Sequence, residues 1–443
     1  MRKTRIGLML VMIFSLLLFV ACGNNTSSDQ ASTNGSSTGA HPGDLNDNQG
    51  QNTQTGEEII ISFWGIDGIM MYLESIIKDF EQENPHITVE ISSFNTDSIK
   101  ESLKVAAASR ALPDIWFNWG GSFASFYSEN GLALDLTEVA AEHNWNEIYN
   151  PAAIELSKFD GKIYMVPFHL ASLGVFVKKD LYEQFGLQEP TTLAELEEHM
   201  AIMHENGITP LPVGGKGGWM LMRWTEQLIE HYAGPDLHDQ LNALDAPWTD
   251  QAVVKALTKL KEWSDKGYFP KGFITMAPEE AEMYMYSEGG YTLQGTWFDQ
   301  TLSSNGFDPN NYLFFKFPNE QGPVRMSSFV EGFQINADST PEKQEAAIKL
   351  AEYITSPEVV NKYINEYGAP ALINFASTEA TPHVKLMAEK ASEGNFLITD
   401  QALPQEVVDK LFEVTDAVIL NALTPEQAAA EIQKAVDQYK SNP

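Results

Sequence analysis

The chain has one cysteine in 443 residues, Cys22, and only 28 lysines and arginines against 61 aspartates and glutamates. Each shortage excludes something. Without a second cysteine the body cannot form an internal disulfide, so its roughly 390 residues rely on buried apolar surface alone, a length that suits two domains. The formal charge of −33 argues against nucleic acid as a partner, because phosphate backbones are bound by surfaces rich in Lys and Arg. It also opposes anionic ligands at long range, although a local site can overcome that field. There is no H-E-x-x-H, no histidine cluster at ligand spacing and no cysteine in the body, so no metal and no other cofactor is expected. His199, His204, His231 and His238 read as surface residues. The stretch Gly214-Gly215-Lys216-Gly217-Gly218 lacks the Lys-Ser/Thr ending of a phosphate loop. No uncharged apolar run reaches the ~20 residues that a membrane-spanning helix needs.

What is present begins at the N-terminus. Arg2, Lys3 and Arg5 precede the apolar run Ile6 to Val20, and Ala21 supplies the small residue before a signal-peptidase cut, so residues 1–21 read as a signal peptide. Phe19-Val20-Ala21-Cys22 resembles the bacterial lipobox, with Phe19 at the position usually held by Leu. That resemblance implies a diacylglyceryl group on the sulfur of Cys22 and Cys22 as the mature N-terminus. Gly23 to Gly56 is mostly Asn, Thr, Ser, Gln, Gly and Asp, with too little apolar surface to offset the entropy of ordering. Residues 22–56 thus read as a lipidated cysteine and a flexible tether, and two acyl chains would hold the protein firmly on the outer face of a bacterial cell membrane. Loss of the three basic residues takes the charge to −36.

The body opens with Glu58 to Trp64, rich in β-branched and aromatic residues, and then the turn Gly65-Ile66-Asp67-Gly68. Ile69, Leu73, Ile76, Ile77 and Phe80 line one face of a helix that Asn84-Pro85 ends. Ile87 to Ile91 reads as a second strand, Ile99, Leu103 and Ala106 as a second helix, and Pro113 to Phe117 opens a third strand. This β-α-β-α-β order predicts a parallel sheet covered by helices, whose ligands bind beyond the carboxyl ends of the strands. Trp64, Asp67, Asn95, Asn118 and Trp119 then fall on one rim. Further on, Gly161 to Pro167 and Leu173 to Val177 read as strands, and Thr192 with Glu195 as a capping box. Thr340-Pro341, Ser356-Pro357 and Thr424-Pro425 mark helix starts. The second of these helices is expected to carry Val360, Tyr363, Ile364 and Tyr367 on one face and to stop at Gly368. The last is expected to bury Ala428, Ile432, Ala435, Val436 and Tyr439.

Several stretches carry a resemblance that spans about residues 57 to 440. They are Glu81-Gln82-Glu83-Asn84-Pro85-His86-Ile87, Leu112-Pro113-Asp114-Ile115 with Asn130 to Leu136, and Gly161 to Pro167 with Lys178-Lys179-Asp180-Leu181. Gly295-Thr296-Trp297 and Gly332 to Ala337 complete the series. In order and content they resemble the extracellular solute-binding proteins of ABC importers, in the carbohydrate group that includes maltose-binding protein. The resemblance implies a two-lobed α/β fold, each lobe a sheet flanked by helices, with the ligand in the cleft between. Residues 57–166 and 327–368 would build lobe one, and residues 169–325 and 373–443 lobe two. The chain would cross between them near Pro167-Phe168-His169, Ser327 to Glu331 and Ala369-Pro370-Ala371. The implied partners are a carbohydrate of oligosaccharide size and the membrane subunits of the importer; a monomer that is not an enzyme is expected.

A neutral sugar offers C–H patches that aromatic faces cover and hydroxyls that planar polar side chains pair. On that chemistry the expected contacts are Trp64, Asp67, Asn118, Trp119, Phe168, His169, Trp219, Arg223, Trp297, Asp299 and Glu331. Trp116 points the other way by strand alternation and reads as core. Two other readings stay open. A receptor for another polar solute such as a polyol phosphate would use Arg223 and Lys216, and a surface glycan-cleaving enzyme would use paired carboxylates such as Asp67 and Glu331.

Overall fold

Strand β1 (Ile59–Ile66) buries Ile61 and Phe63 on one face and leaves Ser62 and Trp64 half-buried on the other, the period-2 pattern of a sheet with unequal faces. It belongs to a computed structural model that describes residues 58–376 and 378–441. The expected signal peptide, Cys22 and tether lie outside these residues. Helix α1 (Asp67–Glu83) buries Ile69, Leu73, Ile76, Ile77 and Phe80, together with Met70. Strand β2 (Ile87–Phe94) follows, then helix α2 (Thr96–Ala108), whose cap Asn95 accepts the Ser98 N–H at 2.8 Å, and β3 (Ile115–Trp119), buried throughout. β1 pairs in parallel with both β2 and β3. Trp116 is fully buried, as alternation requires.

The centre of the molecule is made by two long strands. Strand β4 (Val166–Lys178) runs on where two shorter strands were expected, and it pairs antiparallel with β5 (Thr292–Gly295), β6 (Tyr312–Phe315) and β7 (Met326–Ile335). The β7 segment Glu331 to Ile335 also pairs antiparallel with β3, and its start pairs in parallel with β8 (Asn395–Leu397). The result is a mixed, eight-stranded sheet with the path β2-β1-β3-β7-β4-β5. The fold is two-lobed α/β, and its central sheet is continuous because β4 pairs with β7 along its first half and with β5 and β6 along its second. His169 pairs with Glu331 on one side and bridges Pro370 on the other, so three chain segments meet at that residue.

Local capping follows the sequence. Thr192 and Glu195 form the reciprocal box at the start of helix Leu193–Glu205, and Thr340 and Ser356 cap helices Pro341–Thr355 and Pro357–Lys362. The last of these is shorter than expected. It ends at Lys362 because Tyr363 turns out to donate its hydroxyl to Asp79 at 2.6 Å, and Tyr367 is buried against Phe168. In helix Pro425–Ser441, Ala428, Ile432, Ala435 and Val436 are buried, but Tyr439 lies on the exposed flank.

Candidate functional site

A cavity of about 930 Å³ opens beyond the carboxyl ends of β1 and β3, at the upper end of the ~300–1,000 Å³ typical of ligand pockets. Helix α3 (Trp219–Asn242) presents its first turn to the opposite wall, and the turn between β5 and helix α4 (Phe298–Ser304) closes a third side. The short helix α5 (Thr399–Ala402) supplies the floor. Seven of the eleven expected residues line this space: Asp67, Trp119, His169, Trp219, Arg223, Trp297 and Glu331.

Their positions have local causes. Gly217 takes a left-handed φ of +81°, and a Cβ there would stand 2.9 Å from Asp97 Oδ1; a glycine therefore lets Trp219 approach α2 and donate its Nε1–H to that carboxylate at 3.1 Å. One turn further, the buried guanidinium of Arg223 lies between two indoles, 4.5 Å from the ring of Trp219 and 5.4 Å from that of Trp297. It donates to the Leu293 carbonyl at 3.1 Å. The ring of Trp297 covers Gly295, where a Cβ would lie 2.1 Å from it, so glycine is what allows the indole to lie flat on β5. His169 donates from Nδ1 to Glu331 at 3.0 Å; both are buried where the three segments meet. Asp67 is exposed at the mouth and accepts from the Ser93 hydroxyl.

Four expected residues stand elsewhere. Trp64 stands further down β1 than the cavity and packs on Phe94 at 5.1 Å, while Ile66, two residues on and on the same face, reaches the lining. Asn118 is buried in β3, donating to Gln334 at 2.8 Å and to the Phe123 carbonyl and accepting from the Trp119 N–H. Phe168 stacks on His169 at 3.7 Å and packs on Phe333 and Tyr367 behind the cavity wall. Asp299, two residues after Trp297, points inward and accepts both the N–H and the Nδ1–H of His383, at 2.9 and 2.6 Å. Lys216 is exposed and outside the lining. His231 and His238 are not surface residues: both are buried, and His238 pairs with Glu230 at 2.6 Å beside Arg325.

The cavity also holds groups that no sequence motif marks. Tyr72 comes from α1, Lys100 from α2, Glu282 from helix Pro278–Ser287, Gln294 from β5 and Asp400 from α5. Burial raises the Glu282 and Asp400 carboxyls above their usual range, although Gln294 donates to Glu282 at 3.0 Å. Burial lowers the Lys100 ammonium and brings Arg223 down to about 10. Among the described residues no group of three His, Cys, Asp or Glu is placed to hold a metal ion, and no helix is long and apolar enough to cross a membrane. Three indole faces and a phenol, ringed by carboxylates, amides and two cations, form a surface that can cover the flat side of a polyhydroxylated ring and pair its edge.

A family model described as bacterial extracellular solute-binding protein matches residues 68–361. An uncharacterized ABC transporter extracellular-binding protein of Pyrococcus horikoshii is 28% identical over 285 residues, 61% of this chain and 64% of that protein, slightly under two thirds of its length. A probable sugar-binding periplasmic protein of Rhizobium meliloti is 24% identical over 71% of this chain and 77% of its own. Among solved structures, a chitin oligosaccharide binding protein superposes with a TM-score of 0.78 at 22% identity, covering 86% of this chain and 99% of that one.

Proposed function

Because the chain belongs to the family of bacterial extracellular solute-binding proteins, we propose that it is a receptor that binds a carbohydrate, of oligosaccharide size, and delivers it to the membrane subunits of an ABC importer. The observation that carries this reading is the convergence of Trp119, Trp219 and Trp297 with Arg223, Glu331 and Asp400 on one cavity. The name of the Rhizobium relative supports the sugar. The seven expected residues that line the cavity are its contacts in this reading. Residues 57–166 with 327–368 and residues 169–325 with 373–443 are its two lobes, which close on the ligand about the segments that meet at His169. Cys22 carries the lipid, residues 23–56 tether the body to the outer face of the membrane, and the chain binds glycan as a monomer without cleaving it.

A thermal-shift screen across oligosaccharides tests the core of this, since a ligand that binds only the folded state raises its stability by mass action. A saturable rise with one sugar class is expected. No shift with any sugar, alongside a shift with amino acids, peptides or polyamines, would overturn it. Release of reducing ends from a bound glycan would overturn the non-enzymatic part.

A further inference from the structure

Lys100 and Arg223 are the only lysine and arginine on the cavity wall among the described residues, and neither is in an ion pair. In a chain with 61 carboxylates for 28 such cations, that is an unexpected economy of partners. Cations withdrawn from water are ordinarily matched by a carboxylate at contact distance. Arg223 is 8% exposed and gives a single hydrogen bond, to a carbonyl, leaving the rest of its fork unused. Lys100 Nζ lies over the rings of Trp119 and Phe123 at 4.7 and 4.6 Å and donates to no protein group. The one buried carboxylate that acts on both cations, Asp400, stands beyond ion-pair distance and has its own Oδ1 unpartnered at 6% exposure. Burial raises that carboxyl above its usual range, which weakens its claim on the two cations.

We propose that the cavity selects a sugar bearing a single carboxylate, a uronic-acid unit received by Arg223 and Lys100 while the indoles cover its ring. The inference rests on the carbohydrate reading above and narrows its ligand. A planar carboxylate matches the guanidinium fork in a way that a hydroxyl pair does not. A phosphate dianion fits less well, because Glu331 and Glu282 face the same space. The acidic surface opposes such a ligand only at distances that salt screens within about 8 Å, and the carboxylates at the mouth, Asp67, Glu279 and Glu366, are all exposed.

The test is calorimetric titration of the whole exported chain, its Arg223→Gln and Lys100→Gln variants, with thermal unfolding confirming that each folds. The probes are trigalacturonate, a glucuronate-bearing xylo-oligosaccharide, an alginate trisaccharide, the methyl esters of all three, maltotriose, xylotriose and galactose 1-phosphate. The expected result is that one uronate binds at least about tenfold more tightly than its ester, and that each variant removes most of this preference, weakening the acid several times more than its ester. The inference is overturned, with the receptor reading intact, if a neutral sugar or the phosphate binds and no uronate is preferred. Equal losses for acid and ester in both variants overturn it too, since the cations would then serve only to hold the rings. If no sugar binds, neutral or acidic, the receptor reading falls with it.

Discussion

The hydrogen bond from Trp219 Nε1 to Asp97 Oδ1 joins the first turn of α3 to the first turn of α2, across the cavity from one wall to the other, at 3.1 Å. If the two walls separate when ligand leaves, this bond exists only in the closed form and contributes to the closing equilibrium. A bond to a charged acceptor contributes about 1.5–3 kcal/mol, and partial exposure of both partners brings that to about 1 kcal/mol. One kcal/mol is about fivefold in the closed-to-open ratio, and apparent affinity falls by the same factor when the binding-competent state becomes rarer. Asp97→Ala alone mixes two effects, because a carboxylate in the first turn of a helix also stabilises it by about 0.3–1 kcal/mol. A double-mutant cycle of Asp97→Ala with Trp219→Phe, which keeps a ring face for Arg223, isolates the coupling. Calorimetric affinity for the identified sugar should give a coupling near 1 kcal/mol, and small-angle scattering of the ligand-free variants should show a larger radius of gyration than the parent. A coupling indistinguishable from zero together with superimposable scattering curves would refute the reasoning.

Trp297→Ala should weaken sugar binding by about ten- to a hundredfold while costing less stability than the ~3–5 kcal/mol of a core tryptophan such as the fully buried Trp263; calorimetry and thermal unfolding of both variants check this. Cys22→Ser should move the protein from washed membranes into the medium with unchanged sugar affinity, as fractionation would show. Burial raises the Glu226 carboxyl to about 8, so the folded state holds a proton there that the unfolded chain releases near 4.5. The contribution of this one group to stability is then fully present below about 4.5 and is lost as pH rises from there through about 8. In Glu226→Gln, which keeps an acceptor for the Thr399 N–H, unfolding temperature should depend less on pH across that window than in the parent.

Legibility in the sequence followed the range of the interactions. The first three strands, their helices and the caps at Thr192, Thr340 and Ser356 depend on neighbours within a few residues, and their patterns are plain. Trp119 and Asp67 were placed by the rule that parallel sheets bind at their carboxyl ends. Trp64 shows the limit of that rule: it ends the expected strand, yet β1 runs on to Ile66, which takes the place at the lining while Trp64 packs on Phe94. Asp299 illustrates another limit, because its partner His383 is 84 residues away and nothing near Asp299 announces it. Lys100 and Asp400 sit in ordinary helical contexts 300 residues apart, and only the fold brings them to one wall.

The place of β7 in the sheet sets the order in which the protein can take shape. Residues 115–119 find their neighbour in residues 331–335, about 220 positions later, and until β7 has been made β3 has an open edge and β4 lacks its longest pairing. Closing so large a loop is slow, because its entropy is lost before the pairing compensates. A growing chain therefore cannot complete its central sheet until most of it exists, a delay that would suit a polypeptide led by a signal peptide, which must cross a membrane before it folds.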